Sequence, residues 1–199
     1  MVYIFNFKFV LLQKTLNLKA RLDNEGVKSW GAEPVDTSYG QVVALLTKAN
    51  VYMNDQLFDQ AVKGYRKTIV KLEQLAASRP ERIRRAIQAG HEAFAQLDSK
   101  LAKQSYEIAL AADYSNSEAR IGLQRAENLP QVLELLAQGQ FHEGESDLEA
   151  ARKMYNGAIS LDKDFKAARD HLLQVNQLIL ERDFRRSMSD AISALNQNK

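Results

Sequence analysis

Apolar residues recur along most of this chain with the three-to-four-residue period of a helix, and the period breaks at a few short polar stretches. From Arg82 to Asn116 two such runs stand on either side of Leu97, Asp98 and Ser99. In the first, Ala86, Ala89, Gly90 and Ala93 fall at helical spacing, with Phe94 beside them. In the second, Leu101, Ala102, Tyr106, Ala109 and Leu110 form one apolar stripe. The pattern predicts two amphipathic helices joined by a polar turn. Two helices approach tightly only where neither side chain is large, so Gly90 is expected to pack against Ala102. The aromatic then fills the gap between adjacent pairs.

The same spacing recurs on both sides of this pair. Ala49 precedes Ala61, Tyr65 and Thr68 as Gly90 precedes Ala102, Tyr106 and Ala109. Gly139 precedes Ala151, Tyr155 and Ala158 in the same way. A helix is predicted from about Ser38 to Asn54, opened by the polar run Asp36, Thr37 and Ser38. The helix after it runs through Leu72 and Leu75 to about Ser78, where Pro80 is expected to stop it and start another. A helix from Ser117 to Asn128 is expected to break at Leu129 and Pro130 and resume through Val132, Leu135 and Leu136. From Leu161 onward the period continues through Phe184, Met188, Ala191, Ile192 and Leu195, as one long helix or two with a bend near Asp183.

The first forty residues differ. Phe5, Phe7, Phe9 and Leu11 alternate with Asn6 and Lys8 as in a strand, but no sheet partner is evident and the residues after them have a helical period. A helix from about Phe7 to Asp23 is predicted, either capping the helices after it or acting as the stub of an anchor or partner-binding helix. The apolar run Met1 to Leu12 is too short to span a bilayer and lacks the marks of a signal peptide. Asn24 to Gly40, with Gly26, Gly31, Pro34 and Trp30, reads as a linker, with Trp30 tucked against a neighbouring helix. The organisation is therefore residues 1–40 as an N-terminal helix and linker, and 41–199 as a helical repeat domain of about three and a half units.

The spacing of small, small, aromatic and small residues, present three times, resembles the tetratricopeptide repeat (TPR). The resemblance covers about Tyr39 to Lys199. It implies an all-α fold, an α-solenoid of antiparallel helix pairs. Ala61, Ala102 and Ala151 stand 41 and 49 residues apart, longer than the roughly 34-residue unit. The excess is about two and about four helical turns. Near-whole turns lengthen helices without rotating their apolar faces. Thr68 replaces a small residue of the pattern, and Tyr114 and Lys163 stand where its terminal proline would be. The run from Gly122 to Gln140, GLQRAENLPQVLELLAQGQ, also resembles repeat regions of membrane-anchored bacterial envelope proteins. That second resemblance implies the periplasmic part of an anchored protein as an alternative to the cytoplasm.

Charge and chemistry narrow the function. A formal net charge of +2 over 199 residues does not point to nucleic acid. There is no cysteine, hence no disulfide framework or thiolate metal site. No phosphate-binding glycine loop or HExxH pattern occurs. His91, His142 and His171 lack partners at ligand spacing, and Glu143 and Glu145 read as a solvated turn. No enzyme, cofactor or metal is expected.

The resemblance implies a protein or peptide partner held on a concave face lined by first-helix residues. Asn50, Asn54, Arg84, Gln88, His91 and Gln140 are the candidates there, and Arg82 is a further candidate from the arginine cluster of the same region. Of the pattern by which chaperone-binding TPR proteins clamp a peptide carboxylate, only Asn50 matches. Leu46, Leu133 and Ala137 occupy places that would need polar or basic groups. Arg79, Arg82, Arg84 and Arg85 crowd the expected start of a helix, where cations oppose the macrodipole. They suggest an acidic partner, such as Glu143, Glu145, Asp147 and Glu149 of another copy. Ser187 to Gln197 reads as the first helix of a fourth pair, leaving Met188, Ile192 and Leu195 exposed and open to self-association. The alternative function is a structural spacer or assembly segment of a larger envelope protein.

Overall fold

The computed structural model describes residues 2–25, 27 and 38–197, with side chains from Phe9 onward. Trp30 and the linker around it lie outside the described residues. Among these residues the chain is all-helical, with seven helices and no strand. They are α1 (Val2–Asn24), α2 (Ser38–Asn54), α3 (Phe58–Ala95), α4 (Ser99–Ala112), α5 (Ser117–Gly144), α6 (Leu148–Leu161) and α7 (Lys166–Gln197). From α2 onward, short helices of 17, 14 and 14 residues alternate with long ones of 38, 28 and 32. The chain divides into two compact units, Met1–Leu123 and Gln124–Lys199.

The turns repeat in detail. At the ends of α2, α3 and α5, the residues Gln56, Leu97 and Ser146 take φ of 60°, 60° and 63°. Each stands seven residues after Ala49, Gly90 or Gly139. The amide of the following residue donates back to Tyr52, Ala93 or His142. The amides of Gln56, Leu97 and Ser146 themselves donate to Met53, Phe94 and Glu143. This paired bonding satisfies carbonyls that a helix end otherwise leaves bare. Asp98 and Asp147 then cap the short helices by accepting from the amides of Leu101 and Ala150. At the other end of α4 and α6, Asp113 and Asp162 are extended and accept from the amides of Ser115 and Asp164. These aspartate turns end both short helices without a proline.

Two expected helix breaks do not occur. α3 passes through Pro80 and α5 through Pro130 without interruption. A proline inside a helix costs about 3 kcal/mol through its missing N–H and its ring. In α3 the buried face continues across it, with Leu72 and Leu75 before and Ala86 and Ile87 after. Each large apolar side chain so buried contributes about 1.5–3 kcal/mol, which outweighs one lost rung. Leu129 and Val132 flank Pro130 in the same way. Both rings are exposed. Arg79, Arg82, Arg84 and Arg85 consequently sit in the middle of α3, and the macrodipole argument does not apply to them.

In the first unit, α2 packs along α3, α3 against α4, and α1 against α3. Leu11 and Leu12 of α1 rest on the cluster of Leu46, Ala49, Ala61 and Tyr65. Leu18 and Leu22 join Val42, Leu72 and Leu75 in another. The N-terminal segment is thus a helix from residue 2 that covers its neighbours. Thr68 is fully buried and its hydroxyl donates to the carbonyl of Gly64 at 3.0 Å, so a polar group fits the position of a small one. Arg79 Nε donates to the last carbonyl of α4, Ala112, at 2.8 Å. In the second unit, Asn128, 49 residues on, donates to Leu161, the last residue of α6, at 2.9 Å. Beside it the Arg125 guanidinium holds the buried carboxylate of Asp162 at 2.9 Å. Leu101, expected in the buried stripe, is 48% exposed, and Ala89 also faces out. Ser105 and Ile87 take the inner positions instead.

Candidate partner-binding surface

Each repeat is centred on a fully or nearly fully buried tyrosine, Tyr65, Tyr106 or Tyr155. Gly90 packs on the ring of Tyr106: a β-carbon there would lie 2.6 Å from Cε1. Gly122 of α5 approaches the same ring, and its β-carbon would lie 2.4 Å from Cε1. Glycines of two long helices therefore leave room for one tyrosine of the short helix between them in the chain.

The residue after each small one is linked to the tyrosine, directly or through other side chains. Asn50 Oδ1 accepts from the Tyr65 hydroxyl at 2.8 Å. The His91 ring stands edge-on to Tyr106, 5.9 Å between centroids, and its Nε2 lies 3.6 Å from Glu118. Gln140, the equivalent in the third repeat, works through a chain of bonds. Its amide meets His171 Nε2 at 3.2 Å, His171 Nδ1 meets Glu143 at 3.2 Å, and Glu143 accepts the Tyr155 hydroxyl at 2.7 Å. The chain is self-consistent when His171 Nδ1 carries the proton and Nε2 accepts from Gln140. The His171 ring also stacks on Tyr155 at 5.2 Å. Burial, then the Glu143 carboxylate, pushes the Tyr155 phenol well above its ordinary value. Glu143 is therefore half-buried in a network and is not part of a solvated turn.

The other expected residues divide by position. On α3, Arg84, Gln88 and His91 fall on one exposed stripe at helical spacing. Gln88 donates to Glu92 at 2.8 Å, and Arg84 binds Glu81 through two bonds of 2.9 and 2.8 Å. Arg84 and Arg85 hold the Glu81 carboxyl down to about 2. Arg82 Nε donates to Ser78 Oγ at 3.0 Å, so it turns back along its own helix. Asn54 is exposed at the last position of α2, one turn from Asn50. Gln140 belongs to the second unit and the other six to the first.

One basic feature is not legible from helical period alone. Lys48 of α2 and Lys63 and Lys67 of α3 face a cleft of about 240 Å³ between those helices. The signal in the sequence is slight: lysines at positions 63 and 67, one turn apart on a helix, with Asp59 the one acid within a turn of either. Among the described residues no group of three histidines or acids could hold a metal ion. No helix there is long and apolar enough to cross a membrane. No family model, curated protein or solved structure matches the chain.

Proposed function

We propose that the chain is a TPR-like scaffold, an array of antiparallel helix pairs without catalysis of its own, that binds a protein or peptide. The observation that supports this best is the recurrence of one pair-building device. The left-handed residues Gln56, Leu97 and Ser146, the capping Asp98 and Asp147, and the buried Tyr65, Tyr106 and Tyr155 return at the same offsets. Such regularity makes a platform, and its exposed polar positions vary from one repeat to the next. The stripe of Arg84, Gln88 and His91, with Asn50 and Asn54 on α2, is the proposed contact surface of the first unit. Arg82 adds to it, and Gln140 has the equivalent place in the second. The test is a pull-down from native lysate with crosslinking mass spectrometry, wild type against Gln88→Ala/His91→Ala. A partner crosslinked near residues 84–91 and lost from the variant supports the reading. Equal recovery with both chains, or no specific partner, counts against it.

A second reading is favoured by α7. Its last half exposes Phe184, Met188, Ile192 and Leu195 at 48–68% along one side. A structural spacer or assembly segment of a larger envelope protein would present such a face to a neighbour. A variant that loses assembly and keeps peptide binding would separate the two readings.

A further inference from the structure

We infer that the cleft between α2 and the first half of α3 is a binding site for an acidic peptide segment. This rests on the scaffold reading and adds the chemistry of its partner. The walls are Lys48 and Tyr52 from α2 and Gln60, Lys63 and Lys67 from α3. The floor is where the helices meet: a β-carbon on Gly64 would stand 2.8 Å from that of Ala49.

Three lysines line the cleft together, and no carboxylate does. Lys63 and Lys67 stand at a spacing where like charges weaken a helix. Several exposed cations elsewhere have a carboxylate partner: Arg84 and Arg85 share Glu81, Lys103 meets Glu107, and Lys166 meets Asp170. Lys48 instead lies over the Tyr52 ring, 5.8 Å from its centroid. The equivalent positions in the second repeat are Ala89, Gln104 and Ile108, and in the third Gln138, Lys153 and Gly157. The basic cleft is thus a property of the first repeat and not of the repeat design.

The geometry points to carboxylates. Lysines are separate point charges, so each can take one carboxylate of an extended segment without a planar fork. The cleft is smaller than the roughly 300–1,000 Å³ of small-molecule pockets. It suits two or three side chains. One carboxylate would reach Lys48 and another Lys63 and Lys67, with an apolar residue between them over Tyr52 and Ala49. Gln60 can bond the backbone of the segment. The near-balanced charge of the whole chain, +2, sets this patch apart from the broad basic faces that bind nucleic acid.

The test is fluorescence anisotropy of a labelled peptide Glu-Leu-Glu-Glu-Leu-Glu titrated with the full chain at low salt, beside a peptide with Gln for each Glu. The glutamate peptide should bind at least tenfold more tightly than the glutamine one. Lys63→Glu/Lys67→Glu and Lys48→Glu should each weaken it at least tenfold, and Lys153→Glu should leave it unchanged. Circular dichroism of each variant checks folding. Equal binding of the two peptides, no binding, or unchanged affinity in folded variants overturns the assignment. So does stronger competition by inorganic phosphate or by phosphatidylserine vesicles than by free glutamate peptide. A protein partner lost from the Gln88/His91 variant without glutamate-peptide binding overturns the cleft alone. Glutamate-peptide binding with no protein partner recovered overturns the scaffold alone.

Discussion

A β-carbon placed on Gly139 would stand 2.4 Å from Cε1 of Tyr155, a separation that side chains do not tolerate. The ring cannot swing away, because its hydroxyl is tied to Glu143 and its face to His171. Gly139→Ala therefore overpacks the third repeat, at about 1–3 kcal/mol, against a helix-propensity gain of about 1 kcal/mol. A net loss is expected. Gly40→Ala, which meets nothing within 4 Å, should instead gain up to about 1 kcal/mol. Urea unfolding of both variants checks the opposite signs. Two losses, or two gains, would refute the packing described.

Ser146 holds φ of 63° with an L side chain. That conformation costs a non-glycine residue about 1–2 kcal/mol. Glycine removes the strain and returns part of the gain as unfolded-state entropy. Ser146→Gly should stabilise the protein by about 1 kcal/mol, measured by thermal unfolding. The polar Ser146 is the cleanest of the three sites, since Leu97 also carries apolar surface. A destabilised variant would mean that the turn is held differently.

Burial raises the phenols of Tyr65 and Tyr155 above their ordinary 10.0, and Glu143 adds to the effect at Tyr155. The native state keeps these protons at a pH where the unfolded chain has released them. Their contribution is complete below about pH 10 and declines as pH rises above it. Urea midpoints should be lower at pH 11 than at pH 9. Tyr155→Phe should start lower by about 1–2 kcal/mol, from the lost bond and the carboxylate left behind. Its decline with pH should be shallower. A decline as steep as that of the wild type would show that Tyr155 does not titrate in this window.

Phe184, Met188, Ile192 and Leu195 leave an apolar side of α7 open. Sedimentation velocity across a wide range of concentration should show association. Phe184→Gln/Ile192→Gln should abolish it without changing helicity. Amide exchange in residues 184–197 should slow as concentration rises. A monomer at every concentration would sink the self-association reading.

Much of this fold is legible from spacing alone. The offsets among Gly90, Ala102, Tyr106 and Ala109 recur because each position has a steric job that few residue types can fill. The turn at Leu97, Asp98 and Ser99 is readable because Asp98 is a strong cap. Local propensity misleads at Pro80 and Pro130. Their cost is written in the sequence, but the burial on both sides that exceeds it is tertiary. Leu101 departs from its expected place for a related reason: helical period gives a stripe but not its width. The polar site is less legible. Asn50, His91 and Gln140 stand out only once the links from each to its tyrosine are seen. Glu143 and His171 are 28 residues apart, and nothing local joins them. The lysine cleft depends on two helices meeting at Ala49 and Gly64, which neither helix announces.

Continuous helices through Pro80 and Pro130 bear on how the protein breathes. In an array of separate pairs, one pair can open by losing only its own interfaces, and terminal pairs fray first. Here α3 packs against both α2 and α4. Opening either pair alone means snapping a helix in its middle. Proline lacks the N–H that would bond the carbonyl four residues back, so Ala76 and Ala126 mark the weakest rungs. Partial unfolding should then arrive in blocks bounded by the two prolines, the middle block joining the end of α3, all of α4 and the start of α5, and not as single helices peeling from an end.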